Sequence, residues 1–452
     1  MNRRTFLKCT LSAPLIIKSS VLGAQGTPPP SEQVTIGVIG LGGRSNELIK
    51  TLFQIPTARI ISACDCFQPR LDSAMKAVGE KNGWHAYTHP IEMLDKEKLD
   101  AVIVPTTTHS RAWICAHALI RGIDTYIEKP MALTVEEGRA LVKLARKHKR
   151  VTQVGTQQRS IPLNNWASDL VKNGAIGKVK KVISANFVSP LRWDENTQYP
   201  DSPYTNQPWW DLWTNQAVFR PYHEQIHRGW AKWWDYDGGG VSFGVTGWGA
   251  HAYDQIQRGL GTDLTGPVEV ILEEQVENKP AGLFEQREIK PEETGAPYYP
   301  MTKDIQGPRA KVRMRYENGV ELELYYDSDR GPGLGCIFVG ENGSIEINRD
   351  AVSSDPPEIL QRPDRPEKLS VPETQPHLEE FVQCVKTRKM CNTDVEIGHR
   401  SNTICILVNI VRDLGKVGEV LKWNPEKEKF INCKEGNAML SRPRRKGYEL
   451  PT

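Results

Sequence analysis

VTIGVIGLGGRSNELIKTLFQ, residues 34–54, decides the fold. Val34 to Ile39 form an apolar run that reads as a buried strand, and the spacing of Leu48, Ile49 and Leu52 predicts a helix directly after the turn. Gly40 and Gly42 occupy the first two glycine positions of G-x-G-x-x-G, and Ser45 stands at the third. The first glycine permits a tight turn and the second lets backbone approach a pyrophosphate. The third position needs only a small residue for helix packing, and serine is small enough. A helix N-terminus placed there offers free N–H groups and partial positive charge to phosphate.

Downstream, ARIISACD ends at Asp65, about twenty residues past the glycine turn, where a carboxylate accepts hydrogen bonds from ribose hydroxyls and repels a 2′-phosphate. This favours NAD over NADP, although Arg70 lies near enough in sequence to pair with such a phosphate. LDAVIVPTTTH then reads as a fourth strand, HSRAWICAHALIRG as a helix ending at Gly122, and IDTYIEKP as a fifth strand. Strand and helix alternating at this pitch predict a doubly wound parallel sheet of the Rossmann type, whose ligands bind past the carboxyl ends of the strands. Lys129, in YIEKPMALT (residues 126–134), sits past such an end. Pro130 holds the residue before it extended, which aims the ammonium off the strand toward the expected nicotinamide.

The chain has 452 residues and a net charge of only +3, so no long-range field favours nucleic acid or an anionic membrane. Its nine cysteines form no CxxC pair and read mostly as core thiols. The opening MNRRTFLKCTLSAPLIIKSSVLGAQG pairs Arg3 with Arg4, continues through Phe6-Leu7-Lys8 and ends at Gly23 and Ala24. It is expected to be a twin-arginine export signal, addressing the chain to the periplasm or cell envelope. Its apolar run is interrupted by Lys18 and is too short to span a membrane, so no integral membrane segment is expected in the mature chain. QGTPPPSEQ, residues 25–33, reads as a linker.

After Gly155 the character changes, and eight of the twelve tryptophans fall between Trp193 and Trp248. Flat aromatic faces suit sugar rings, although several of these must be core. The polar candidates here are Gln157, Arg159, Tyr222, His223, His227 and His251, with Trp234 and Asp254 as further substrate-site candidates. His223 and His227 stand four apart, but no third ligand at zinc spacing accompanies them, so no metal is expected. KVRMRYENGVELELYYDS and CIFVGENGSIEINRD read as hairpins across Asn-Gly turns. PHLEEFVQCVKTRK and RSNTICILVNIVRDLG read as helices packed on the resulting sheet. The expected division is residues 1–33 signal and linker, 34–154 the dinucleotide domain, and 155–452 an α+β domain with a large open, mainly antiparallel sheet.

Taken together, GLGGRS, ACD, TTTH, EKP, VGTQQRS and GGGVSFGVTGWGAHAYD resemble the glucose-fructose oxidoreductase, inositol dehydrogenase and MocA-like family, in its exported, tryptophan-rich branch. The resemblance implies catalysis by Lys129, often followed by a cis proline bond, with His251 beside it as acid/base or substrate clamp. It implies a cofactor site of Gly40, Gly42, Gly43, Arg44, Ser45, Asp65, Thr106, His109, Glu128 and Lys129, and a substrate site of Gln157, Arg159, Tyr222, His227, Trp234 and Asp254. It also implies a homo-oligomer joined through the open sheet. Many relatives carry an aspartate four residues before the histidine, where this chain has Gly247; Asp254 is a substitute partner for His251, or else an ion-pair partner of Arg258. Three activities stay open: hydride transfer between tightly bound NAD(H) and a sugar or glycoside hydroxyl, redox-neutral NAD-dependent glycoside hydrolysis, or sugar binding without chemistry.

Overall fold

The computed structural model describes residues 28–241, 244–277, 280–283, 307–326 and 333–451. The stretch expected to be an export signal lies outside them. Strands β1 (Val34–Ile39), β2 (Ala58–Cys64), β3 (His85–Tyr87), β4 (Ala101–Val104), β5 (Asp124–Ile127) and β6 (Thr152–Val154) form one parallel sheet in the order β3-β2-β1-β4-β5-β6. That is the expected doubly wound order, and its direction reverses between β1 and β4, which opens a crevice beyond their carboxyl ends. On one face Val102, Val104 and Ile127 pack against Leu119, Leu141 and Ala145 from the helices Thr108–Ile120 and Val135–Lys147.

The second sheet has nine strands, in the order β13-β12-β11-β7-β10-β9-β8-β14-β15. They are β7 (Val179–Ala185), β8 (Glu269–Leu272), β9 (Val312–Arg315), β10 (Glu321–Tyr326), β11 (Cys336–Gly340), β12 (Ser344–Asn348), β13 (Ala351–Asp355), β14 (Val420–Asn424) and β15 (Lys429–Phe430). Pairing is antiparallel except between β7 and β10. Both Asn-Gly hairpins form, joining β9 to β10 and β11 to β12. The helix Val395–Leu414 packs on this sheet through Ile404, Leu407 and Val408, as expected.

The helix Thr374–Thr387 does not. Its apolar residues Leu378, Phe381 and Val382 are fully buried against Ile36, Val38, Ile103 and Tyr126 of the first sheet. The sequence marks the apolar stripe but not which sheet receives it; the open face left by β1, β4 and β5 does. The eight described cysteines are free, and all but Cys66 are buried. Among the described residues no helix is long and apolar enough to cross a membrane.

Candidate active site

The glycine turn forms the floor of a cleft of about 1020 Å³, large for a ligand site. Gly40 has φ +94°, and a Cβ there would meet Thr106 Cγ2 at 2.8 Å, so the turn requires glycine on both counts. At Gly42 a Cβ would meet nothing within 4 Å, and this residue caps the helix Gly43–Leu52 with no side-chain bond to its first N–H groups. Open backbone at an uncapped helix start is the chemistry that receives a pyrophosphate. Asp65 lies in the same wall, 6 % exposed. Its oxygens accept from Leu41 N at 2.8 Å and Phe67 N at 2.9 Å, which orients the carboxylate while each oxygen keeps capacity for a ribose hydroxyl. Burial raises its pKa, opposed by Arg70, whose Nη1 stands 3.8 Å away, and by the two backbone bonds. The residues present therefore fit a dinucleotide, and Arg70 is turned onto Asp65.

Arg44 joins this cleft to the lysine. It lines the wall, and its Nε stands 3.3 Å from Glu128 Oε2, on the residue before Lys129. Gln157 belongs to the same group: with its amide turned so that nitrogen donates to Gly155 O, its oxygen accepts from Arg44 Nη2 at 3.1 Å. Glu128 is buried as a partner of Arg44 and is not part of the cleft lining.

Lys129 is half-buried beyond β5, the Lys129–Pro130 bond is cis, and Nζ donates to Gly247 O at 3.1 Å. Burial pulls the ammonium below the ordinary lysine value; Glu128 opposes this and Arg44 adds to it. The buried Arg111 donates to the carbonyls of both Pro130 and Thr106, which fixes the turns after β5 and β4 against each other. Beneath them Asp237, fully buried, accepts from the hydroxyls of Thr108 and Thr246. Neither Arg111 nor Asp237 was singled out by the sequence, because the contacts that matter, Arg111 to Pro130 and Asp237 to Thr108, join separate elements of the fold.

His251 sits in the first turn of the helix Gly249–Leu260, 6 % exposed. Burial, then the Lys129 charge, holds it well below the usual imidazole value, so it is neutral. Its Nδ1 has no hydrogen-bond partner among the described residues. Lys129 and His251 lie outside the lining of the large cleft.

Several expected site residues stand elsewhere. Asp254 neither partners His251 nor pairs with Arg258. It accepts from Arg159 through both oxygens at 2.9 Å and from Ser401 Oγ at 2.8 Å, while Arg258 reaches Asp169 at 3.3 Å. Arg159, 1 % exposed, also donates to Asp263 at 2.9 Å, so its charge is matched by two carboxylates within the fold. His109 is fully buried, with Nε2 on Trp213 O at 2.7 Å, and burial lowers its pKa to about 4; it does not reach the cofactor cleft. The guanidiniums of Arg192 and Arg442 stand 3.7 and 4.3 Å from the Trp234 ring centre, so cation–π contacts already occupy this ring. Tyr222 and His227 do line a cavity, but it is the one over the glycine turn. His223 caps the short helix Glu224–His227 through Gln225 N, and no group of three metal-ligating side chains occurs among the described residues. Of the tryptophan cluster, Trp193, Trp210, Trp213 and Trp233 are core.

Comparison with known proteins follows this division. Residues 34–156 match the model of an oxidoreductase family with an NAD-binding Rossmann fold, and residues 165–296 and 293–450 match its C-terminal alpha/beta domain. The chain is 29 % identical over 147 residues to scyllo-inositol 2-dehydrogenase (NAD(+)) of Bacillus subtilis, covering 32 % of this chain and 42 % of that protein. It is 26 % identical over 203 residues to glycosyl hydrolase family 109 protein 2 of Shewanella sp. (strain ANA-3), covering 41 % of each. The chain thus spans about two-fifths of the length of these curated relatives. In fold it is similar to the WlbA dehydrogenase of Bordetella pertussis, crystallised with NADH and UDP-GlcNAcA, with TM-score 0.57 and 16 % identity over 84 % of this chain and 97 % of that one. It is also similar to the aldose-aldose oxidoreductase of Caulobacter crescentus, with TM-score 0.56 and 17 % identity over 86 % and 99 %. With both halves matched and the glycine turn and Asp65 fitted to a dinucleotide, the chain belongs to the Gfo/Idh/MocA family of oxidoreductases and carries its NAD-binding Rossmann domain.

Proposed function

We propose that this protein transfers hydride between a tightly held NAD(H) and a hydroxyl-bearing carbon of a sugar or glycoside. The observation that carries the reading is the placement of Lys129 at the carboxyl end of β5, tied to the cofactor cleft through Glu128 and Arg44 and steadied by the Gly247 carbonyl. Nicotinamide, when bound, supplies the hydride acceptor or donor. Lys129 removes the substrate's hydroxyl proton at Nζ, which its lowered pKa makes feasible nearer neutrality than for a free lysine. The carbonyl on which it rests is neutral, so it orients the amine without adding a charge that would favour the ammonium. His251, held neutral nearby, orients the same hydroxyl. The inositol dehydrogenase relative supports a polyol or sugar substrate. Lys129→Met tests the assignment: turnover should collapse while NAD still binds, and unchanged turnover would remove Lys129 from the chemistry.

A second reading is favoured by the glycosyl hydrolase family 109 relatives. Oxidation of a sugar hydroxyl acidifies the neighbouring C–H, the aglycone leaves by elimination, water adds, and the hydride returns, so the net change is hydrolysis. Incubation with an aryl glycoside and no added cofactor separates the two: catalytic aglycone release establishes the hydrolase and excludes a simple dehydrogenase. Should neither assay give turnover while a sugar still binds, the chain is a non-catalytic sugar-binding relative. We also propose that the Arg3-Arg4 segment exports the folded chain to the periplasm or envelope; Arg3→Lys with Arg4→Lys should retain it in the cytoplasm. Assembly into a homo-oligomer through the open face of the second sheet is part of the same proposal, and light scattering checks it.

A further inference from the structure

The aromatic segment faces the glycine turn, away from the lysine. Across the cleft from Gly40–Arg44 and Asp65–Phe67, the far wall is made by Trp213, Tyr222, His227 and Trp230. The two walls touch where the Phe67 ring lies 4.9 Å from Trp209 and 5.0 Å from His227. Phe67 follows the ribose-binding Asp65 by two residues, so a segment of the second half of the chain clasps the loop that reads the adenosine end. That segment is stiff: Trp210 and Trp213 stack at 4.6 Å, and Trp210 Nε1 donates to Arg220 O at 2.8 Å. It is fastened to the first domain by His109, whose Nε2 bonds Trp213 O and whose backbone N–H donates to Tyr236 O. The C-terminal tail fastens it again. Arg445 Nη1 donates to Asn215 O at 2.9 Å, Tyr448 Oη donates to Asp211 Oδ2 at 2.8 Å, and the Tyr448 ring meets Trp113, itself in the cleft wall, at 5.4 Å.

We infer that residues 208–232 form a roof over the adenosine half of the NAD site, latched by Arg445 and Tyr448, and that this roof slows cofactor release enough for one NAD to serve many turnovers. The inference rests on the NAD-dependent reading above and adds to it the residues that retain the cofactor. Release requires parting Phe67 from Trp209 and His227, and such barriers act on the off-rate. A retained cofactor is what either proposed cycle needs if it is to run without exchange with a free pool.

The test uses the full chain loaded with NAD and follows its replacement by isotopically labelled NAD, read by mass spectrometry of small molecules released on denaturation. Trp209→Leu, which loses the ring contact to Phe67 across the clasp and four more on its own side, should exchange on the order of tenfold faster. Tyr448→Phe removes one hydroxyl at the latch and should exchange severalfold faster, and it carries the test should Trp209→Leu not fold. Exchange as slow as wild type in the folded variants overturns the roof. A wild-type chain that neither releases NAD on denaturation nor binds it on titration overturns the oxidoreductase reading itself.

Discussion

Gly247→Ala adds one methyl group at the point where the lysine is held. A Cβ there would lie 2.1 Å from Val241 O and 3.1 Å from both Gly240 C and O. These are main-chain atoms and cannot swing aside as a side chain would, so the backbone at Gly240, Val241 or Gly247 must shift. Overpacking of this kind costs about 1–3 kcal/mol, and loss of the Lys129 Nζ bond to the Gly247 carbonyl costs about 1 kcal/mol more. Together, in a chain of 452 residues, they should lower the melting temperature by roughly 2–4 °C. Turnover should fall further than stability alone explains, because a displacement of about 1 Å at a catalytic group can cost 10²-fold. The sharper variant is Gly247→Asp, which restores the aspartate of the family pattern. The packing predicts that it is worse than alanine, since a larger side chain meets the same backbone. Differential scanning fluorimetry and NAD-dependent turnover check both variants. A Gly247→Asp chain as stable as wild type and more active would refute the assignment of the carbonyl as the lysine's partner.

Lys129→Met should lower kcat/KM by roughly 10²–10⁴ without lowering the melting temperature, because it removes a charge that burial disfavours. In the wild type, kcat/KM should rise with pH as the ammonium loses its proton, with a midpoint below the ordinary lysine value, and that limb should vanish in the variant. Asp254→Ala should destabilise by about 3 kcal/mol, the low end for a broken buried pair because Asp263 still faces Arg159; a raised KM at unchanged stability would return Asp254 to the substrate site. His109 and His377, held by burial at about 4, and His227, at about 3, are neutral when folded. The unfolded chain takes up those protons first, so their contribution is complete above about pH 6.5 and is lost as pH falls toward 4, by about 2 kcal/mol each at pH 5. Urea unfolding at pH 7 and pH 5 measures it, and His227→Phe should flatten the difference.

What the sequence made legible was local. The strand, glycine turn and helix of residues 34–54 announce themselves because each signal lies within a few residues of the next, and the same holds for Lys129 at a strand end before proline. Asp65 follows from a fixed distance along the chain. The failures involve partners far apart in sequence. Helical spacing offered His251 or Arg258 as neighbours of Asp254, yet its cation, Arg159, lies 95 residues away. The resemblance implied His109 as a cofactor residue; the helix that begins at Thr108 turns its ring inward to Trp213 instead. The aromatic residues were read as a sugar platform from composition alone, and composition does not say which wall they complete. Nor does an apolar stripe say which sheet will bury it, as the helix Thr374–Thr387 shows.

That helix bears on how the chain is made. Ribosomes release the strands of the nucleotide domain well over two hundred residues before Leu378, Phe381 and Val382, which close one face of its interior. A nascent chain ending near residue 156 therefore exposes Ile36, Val38 and Tyr126 to water, and a fragment cut there should be sticky and short of full cooperativity. Competence to take up a dinucleotide firmly then arrives only when synthesis is almost finished, and any cell compartment that loads it must receive the whole polypeptide.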